Sequence, residues 1–284
     1  MSLLDSEDHF TSIDHDEKIV NSFLRNNYVF CGKYELNWDE HENIFVVHSF
    51  GDINTKNTEI SSLTNGLFRF DVVNGFFSCH HCTKLESLEG APKYVCGDFN
   101  CADCRSLKSL VGAPQTVDGN FYCEYCSSLK NLIGASKTVY GSFLCSGCDG
   151  LKSLVGAPEE VGQIFSCVGC DGLVNLKGTE NMKTCVYVCK CCRNLESLEG
   201  APRVIGSDFD CSVCTSLKDL HGSPRYIGGT FNLNGCKNLE SIEEIPGKLR
   251  TLNISFCAKL EKKSKYIHKK FGKNRGFKLI FDKI

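Results

Sequence analysis

The chain has 284 residues, 42% of them hydrophobic and 23% charged, with a formal net charge of −2. That composition excludes an intrinsically disordered chain, and the near-neutral balance argues against nucleic acid as the partner of the whole molecule. No apolar run approaches the ~20 residues of a membrane-spanning helix, so no membrane partner is expected.

The chain opens acidic, with Asp5, Glu7, Asp8, Asp14, Asp16 and Glu17 before the first lysine. A secretory leader would open basic and continue apolar, so a cytoplasmic location is expected. Residues 15–28 read as an amphipathic helix with Ile19, Phe23 and Leu24 on one side. Residues 28–50 read as one or two strands through Tyr34, Leu36, Ile44, Phe45 and Val46. Residues 1–50 are therefore expected to form an N-terminal cap. Residues 51–74 look like degenerate first repeats, with Ile53, Ile60 and Leu63 at core positions.

From residue 77 the chain becomes periodic. Cys79, Cys101, Cys123, Cys145, Cys167, Cys189 and Cys211 are spaced by 22 residues, as are Cys82, Cys104, Cys126, Cys148, Cys170, Cys192, Cys214 and Cys236. An aromatic column (Phe77 to Phe231), two leucine columns (from Leu85 and Leu88), a glycine column (from Gly90) and a β-branched column (from Val95) keep the same step. Seven columns in phase identify a solenoid. In the unit VCGDFNCADCRSLKSLVGAPQT, the Phe99-x-Cys101 alternation predicts a short half-buried strand with both side chains inward. Leu107 and Leu110 return the chain along the convex side, and Gly112-Ala113-Pro114 turns it. One unit cannot bury its own apolar face, but stacked units can. The solenoid is expected over 51–261, where Leu249, Leu252, Ile254, Cys257 and Leu260 make a last repeat. Residues 262–284 form a basic C-terminal cap, with a helix from Lys262 to Phe271 and an edge strand through Phe277, Leu279 and Phe281.

This spacing resembles the leucine-rich repeat in its cysteine-containing form, because Phe99, Cys101, Cys104, Leu107 and Leu110 fall where that consensus places its core. More narrowly, SLEGAPKYVCGDFNC, SLVGAP and GSDFDC, with the opening phrases NNYVFCGKYELNW and GDINTKN, resemble a family of leucine-rich-repeat-like proteins from tailed bacteriophages. The resemblance spans residues 15–262. It implies a β-rich, leucine-rich-repeat-like solenoid with short strands, turns and caps at both ends. It also implies a host protein as partner, with inhibition of bacterial antiviral defence as the role. The sixth unit departs from the pattern, with Gly178-Thr179-Glu180 for Gly-Ala-Pro, and Ser136 replaces a proline.

Pairs of Cys-x-x-Cys often supply half of a zinc site. In a solenoid the same positions fill core slots with small apolar groups, so structural thiols are expected, with no metal and no cofactor. Cys79-His80-His81-Cys82 is the sharpest metal candidate. The motifs of serine hydrolases, phosphate-binding loops and zinc proteases are absent from the sequence, so no enzyme is expected. Lysines from Lys262 to Lys283 offer an alternative reading, a nucleic-acid or nucleotide binder. Self-assembly into a homo-oligomer is a third.

Strands should line a concave face whose exposed positions, Ser142 and Ser166 among them, flank the inward aromatics, with Ala102 and Ser212 in the next exposed row. The middle of that face is apolar: Tyr122, Leu144, Ile164, Val168, Val186 and Val188. Its flanks are acidic or polar, including Asp208 and Asp210. An apolar patch with a polar rim suits protein binding. The expected function is a non-enzymatic module that grips a host protein there.

Overall fold

A computed structural model describes residues 3–56, 58–261, 263 and 276–281, with the backbone alone for 3–11 and 261. The fold is a β-rich solenoid of about nine turns with few helices and caps at both ends.

The N-terminal helix α1 runs from Leu3 to Asn27, twelve residues earlier than the sequence suggested. Asp5, Glu7 and Asp8 lie in its first turns, where negative charge suits the helix dipole. That acidity read as a charge signal and masked a helix start. Val20 and Leu24 are fully buried, whereas Ile19 is 40% exposed. Phe23 packs half-buried against the core, so Phe23 and Leu24 lie on the expected face, and Val20 takes the place expected of Ile19. Asn27 closes the helix by donating from Nδ2 to the Phe23 carbonyl at 2.9 Å, which satisfies one of the orphan acceptors of the last turn.

Three strands follow where one or two were expected: β1 Tyr28–Cys31, β2 Tyr34–Asp39 and β3 Ile44–Ser49. Two more, β4 Asp52–Thr55 and β5 Phe68–Val73, lead into the repeats. β1 pairs antiparallel with β4, and β2 pairs antiparallel with β3. β4 starts one parallel ladder through Ile53↔Phe77, and β3 starts the other, pairing parallel with β5 through Phe45↔Phe68 before β5 continues it through Val73↔Val95. The antiparallel strands β1 and β2 lie outside the two ladders and cover the first turns.

Each regular turn carries two short strands. The first column holds the aromatics in register: Phe77↔Phe99, Phe99↔Phe121, Phe121↔Phe143, Phe143↔Phe165, and onward to Phe231↔Leu252. The second column holds the β-branched residues, as in Val95↔Val117 and Val117↔Val139. Inside, Phe77 to Phe231 and every cysteine of the two columns are fully buried. Most neighbouring rings lie close to parallel, such as Phe143 and Phe165 at 5.7 Å and 5°. Gly112 shows why the turn glycines are needed. Its φ is +91°, and a Cβ there would fall 2.4 Å from the Leu88 and Glu89 backbone of the previous turn.

The second cysteine column adds a polar ladder to this core. Cys104 Sγ donates to the Cys79 carbonyl, Cys126 to Cys101, Cys148 to Cys123, and so on to Cys257 donating to Leu233, all at 3.1–3.3 Å. Each thiol gives a buried carbonyl a weak extra donor that an aliphatic residue could not supply. Burial pushes the Cys126 and Cys211 thiols up to about 12.

The turn around Tyr187 is irregular. Glu160–Ser166 and Lys183–Val188 run as single long strands across both columns, with a bulge between Val161 and Ile164. The ring stack breaks here, since Tyr187 meets Phe209 at 88°. A buried tyrosine hydroxyl needs a partner, and Thr179 provides it at 3.3 Å while donating to the Gly200 carbonyl at 2.8 Å. Thr179 stands where most other units have alanine, with Ser223 an exception, so the two departures belong together. Ser136 likewise donates to the Pro114 carbonyl at 2.6 Å.

At the far end Lys278–Ile280 pairs parallel with Thr251–Asn253, as expected of a closing edge strand. The helix expected from Lys262 to Phe271 lies outside the described residues, apart from Lys263. Among the described residues no helix is long and apolar enough to cross a membrane.

Candidate binding face

The outward side of the first strand column carries two rows of side chains, one on each side of the inward aromatics. The row after the aromatic is Ser78, Asn100, Tyr122, Leu144, Ser166, Val188, Asp210, Asn232 and Asn253. Toward both ends of the ladder this row does a structural task. Asn100 Oδ1 accepts from the Ala102 N–H at 2.9 Å, Asp210 Oδ1 from Ser212 at 2.8 Å, Asn232 Oδ1 from Asn234 at 3.2 Å and Asn253 Oδ1 from Ser255 at 3.1 Å. These Asx turns fix the chain as it leaves the strand.

The row before the aromatic behaves alike. Asp98 Oδ1 accepts from the Asn120 N–H at 2.7 Å, Asn120 Oδ1 from Ser142 at 2.9 Å and Asp208 Oδ1 from Thr230 at 2.6 Å. Each bond ties one turn to the next.

In the middle both rows change chemistry. Tyr122, Leu144 and Val188 in one row, and Ile164 and Val186 in the other, have no acceptor placed to make these bonds. The parallel register sets them side by side, with Tyr122 opposite Leu144 and Ile164 opposite Val186. Ile164 is 36% exposed, and Tyr122, Leu144, Val168, Val186 and Val188 are half-buried. The predicted patch residues thus share one face. Ser142 and Ser166, expected to be exposed there, are 7% accessible, and Ser166 bonds the Ser146 hydroxyl at 3.0 Å. Ala102 and Ser212, expected exposed in the next row, are 8% accessible.

Carboxylates bound the strip. Asp98 and Glu124 stand at one end, Asp208 and Asp210 at the other. Asp208 and Asp210 each spend one oxygen on the backbone, so they serve the fold as well as the rim. Glu124 is half-buried, and burial holds its carboxyl above the usual range.

Sequence reasoning missed a ridge beside this face. His81, Asp103, Tyr125, Cys191, Val213 and Phe256 all have φ between 56° and 62°, a region that costs a non-glycine residue energy. Gly147, Gly169 and Gly235 share the column, and they were the signal that a left-handed turn recurs there. Along the ridge lies a cleft of about 470 Å³ bordered by His80, Asp103, Arg105, Tyr125 and Asp149. Asp103 receives Arg105 Nε at 2.7 Å and contacts His81 Nδ1 at 2.6 Å, and these partners hold its carboxyl below the usual range. Tyr125 is 63% exposed.

His80 and His81 are both exposed, whereas Cys79 and Cys82 point inward. The sharpest metal candidate is therefore split between two sides of the backbone. Among the described residues no group of three or more His, Cys, Asp or Glu side chains could hold a metal ion. Comparison with protein-family models, with characterised proteins and with solved structures returned no match.

Proposed function

We propose that the protein is a non-enzymatic binding module that engages another protein through the outward side of its first strand column. One observation carries this reading. From the Phe143 turn to the Tyr187 turn both outward rows lack the backbone-capping Asn and Asp of the ends, and Leu144, Ile164, Val186 and Val188, side chains with no hydrogen bond to make, stand there. Half-exposed apolar groups that the fold does not need are what a docking patch requires. The repeat phrases support a leucine-rich-repeat-like identity within the phage family named above. On that basis the partner is a host protein, and a component of bacterial antiviral defence is the target class.

The test is affinity capture from bacterial lysate with three baits: the wild-type chain, the double variant Leu144→Asp/Val188→Asp, and Lys152→Asp on the exposed leucine side. A stoichiometric protein held by the first and third baits and released by the second is expected. Equal capture by all three, or none by the wild type, overturns the proposal.

A further inference from the structure

The chemistry of the strip constrains what can lie on it. The apolar side chains project from strands already paired on both sides, so the face offers no free backbone groups. An extended segment laid across it would bury its own N–H and C=O groups against Leu144, Ile164 and Val188 without partners, which is costly. A helix satisfies its backbone internally and needs only side-chain contacts.

The ends of the strip specify charge. Asp98 uses Oδ1 on Asn120, Asp208 uses Oδ1 on Thr230, and Asp210 uses Oδ1 on Ser212 and Asn232. Among the described residues the second oxygen of each has no hydrogen-bond or ion-pair partner. Glu124 is half-buried beside Tyr122 and has none at all among the described residues. A partly desolvated carboxylate without a partner is a place for a cation. Lys190 projects between the two ends and is exposed, so the acidic excess is confined to them. Within the row Asp98, Asn120, Ser142, Ile164, Val186 and Asp208, the end carboxylates are separated by five inter-strand steps. At ~4.8 Å per step that is ~24 Å, or roughly 16 residues of helix.

We propose that the occupant of the strip is an amphipathic helix of about 16 residues whose apolar stripe ends in Lys or Arg on both sides. This rests on the strip being a docking face, the reading given under the proposed function. The middle of the helix packs on Tyr122, Leu144, Ile164 and Val188. Its terminal cations meet Asp98 with Glu124 and Asp208 with Asp210.

The experiment uses three synthetic helical peptides that share a leucine stripe: one with Lys at both ends, one with Glu at both ends, and one with the first peptide's composition but its Lys placed in the middle. Binding is read by fluorescence anisotropy against the wild-type chain and against Asp98→Asn/Glu124→Gln/Asp208→Asn/Asp210→Asn. Asparagine keeps the Oδ1 acceptor and stands natively at positions 100 and 120, so the variant should fold, which circular dichroism checks. The Lys-ended helix should bind about tenfold or more tightly than the other two, and the advantage should vanish in the neutralised variant and in high salt. Equal affinities for Lys-ended and Glu-ended helices overturn the proposal. So does failure of every helix while lysate capture through the strip persists, an outcome that leaves the proposed function standing. A doubled mass of the free protein that the peptide does not reverse also overturns it, because a second copy then covers the strip.

Discussion

The Phe99 and Phe209 turns and the Phe143 and Tyr187 turns share the register of the aromatic strand and the left-handed residue that follows it, but differ on the outward strand position. In the first pair Asn100 and Asp210 each bond the N–H two residues on. In the second pair Leu144 and Val188 stand in the same register and make no such bond. At the ends of the ladder the outward residue is explained by the fold. In the middle it is not, and the local cap has been given up for apolar surface. On the proposed function, a docking surface is what separates the two regions.

The largest effect should come from confusing the two sides of one strand. Leu144 is half-exposed, and Cys145 beside it is fully buried. Cys145→Asp places a carboxylate in the stacked core without a partner and should cost about 4 kcal/mol or more, enough to unfold neighbouring turns. Leu144→Asp should stay within about 0.5 kcal/mol of wild type. Urea denaturation of both variants measures this, and equal losses would show the inward and outward assignments to be wrong. Thiol chemistry checks the same boundary without a mutation. Burial keeps Cys126 and Cys211 protonated, with values near 12, and a thiol is a poor nucleophile. Maleimide added to the folded protein should modify the exposed Cys31, Cys96 and Cys185 and the half-buried Cys191. Intact mass should show the column cysteines reacting only after denaturation.

The next effect lies where the ladder is irregular. Thr179→Ala removes the partner of the Tyr187 hydroxyl inside the core and should cost about 1–3 kcal/mol. Tyr187→Phe in that background should recover most of the loss, since it restores the alanine–phenylalanine combination of most other turns. A double-mutant cycle read by thermal unfolding decides the matter. Additive losses would mean that the two residues are not coupled.

These contrasts also show why some of the molecule was legible in its sequence. A strict 22-residue period turns each inward position into a column, so the aromatic, cysteine, leucine and β-branched cores were readable from Phe77 to Phe231. The second strand column was not read as strands, because a pair such as Thr116–Val117 is too short to show alternation. Asp5, Glu7 and Asp8 hid the start of α1 because a helix N-terminus and an acidic tail look alike. Ser142 and Ser166 were placed outside because a small polar residue carries no sign of burial, whereas its neighbours decide it. The apolar strip was visible as composition. Its meaning was not, since Asn100 and Asp210 look merely polar until their bonds to the backbone are seen.

The smallest predicted effect is the most discriminating, because its sign differs between the two regions. Asn100→Ala removes a capping acceptor and should destabilise the protein by about 0.5–1 kcal/mol. Leu144→Asn does the reverse: it brings to a central turn the side chain that caps its counterparts at the ends. With the strand register and the left-handed residue shared, the introduced amide oxygen would reach the Ser146 N–H. The exposed part of Leu144 contributes little burial in the free protein, so the substitution should be neutral or raise stability by up to about 0.5–1 kcal/mol. Binding should weaken at the same time, because the strip loses an apolar group at its centre. Paired thermal-shift and capture measurements on this one variant separate the alternatives. Lost stability with unchanged capture would mean that Leu144 belongs to the core and that the middle of the ladder differs from its ends for reasons of packing. A gain in stability with loss of capture would mean that the fold has yielded a bond there to keep a surface for a partner.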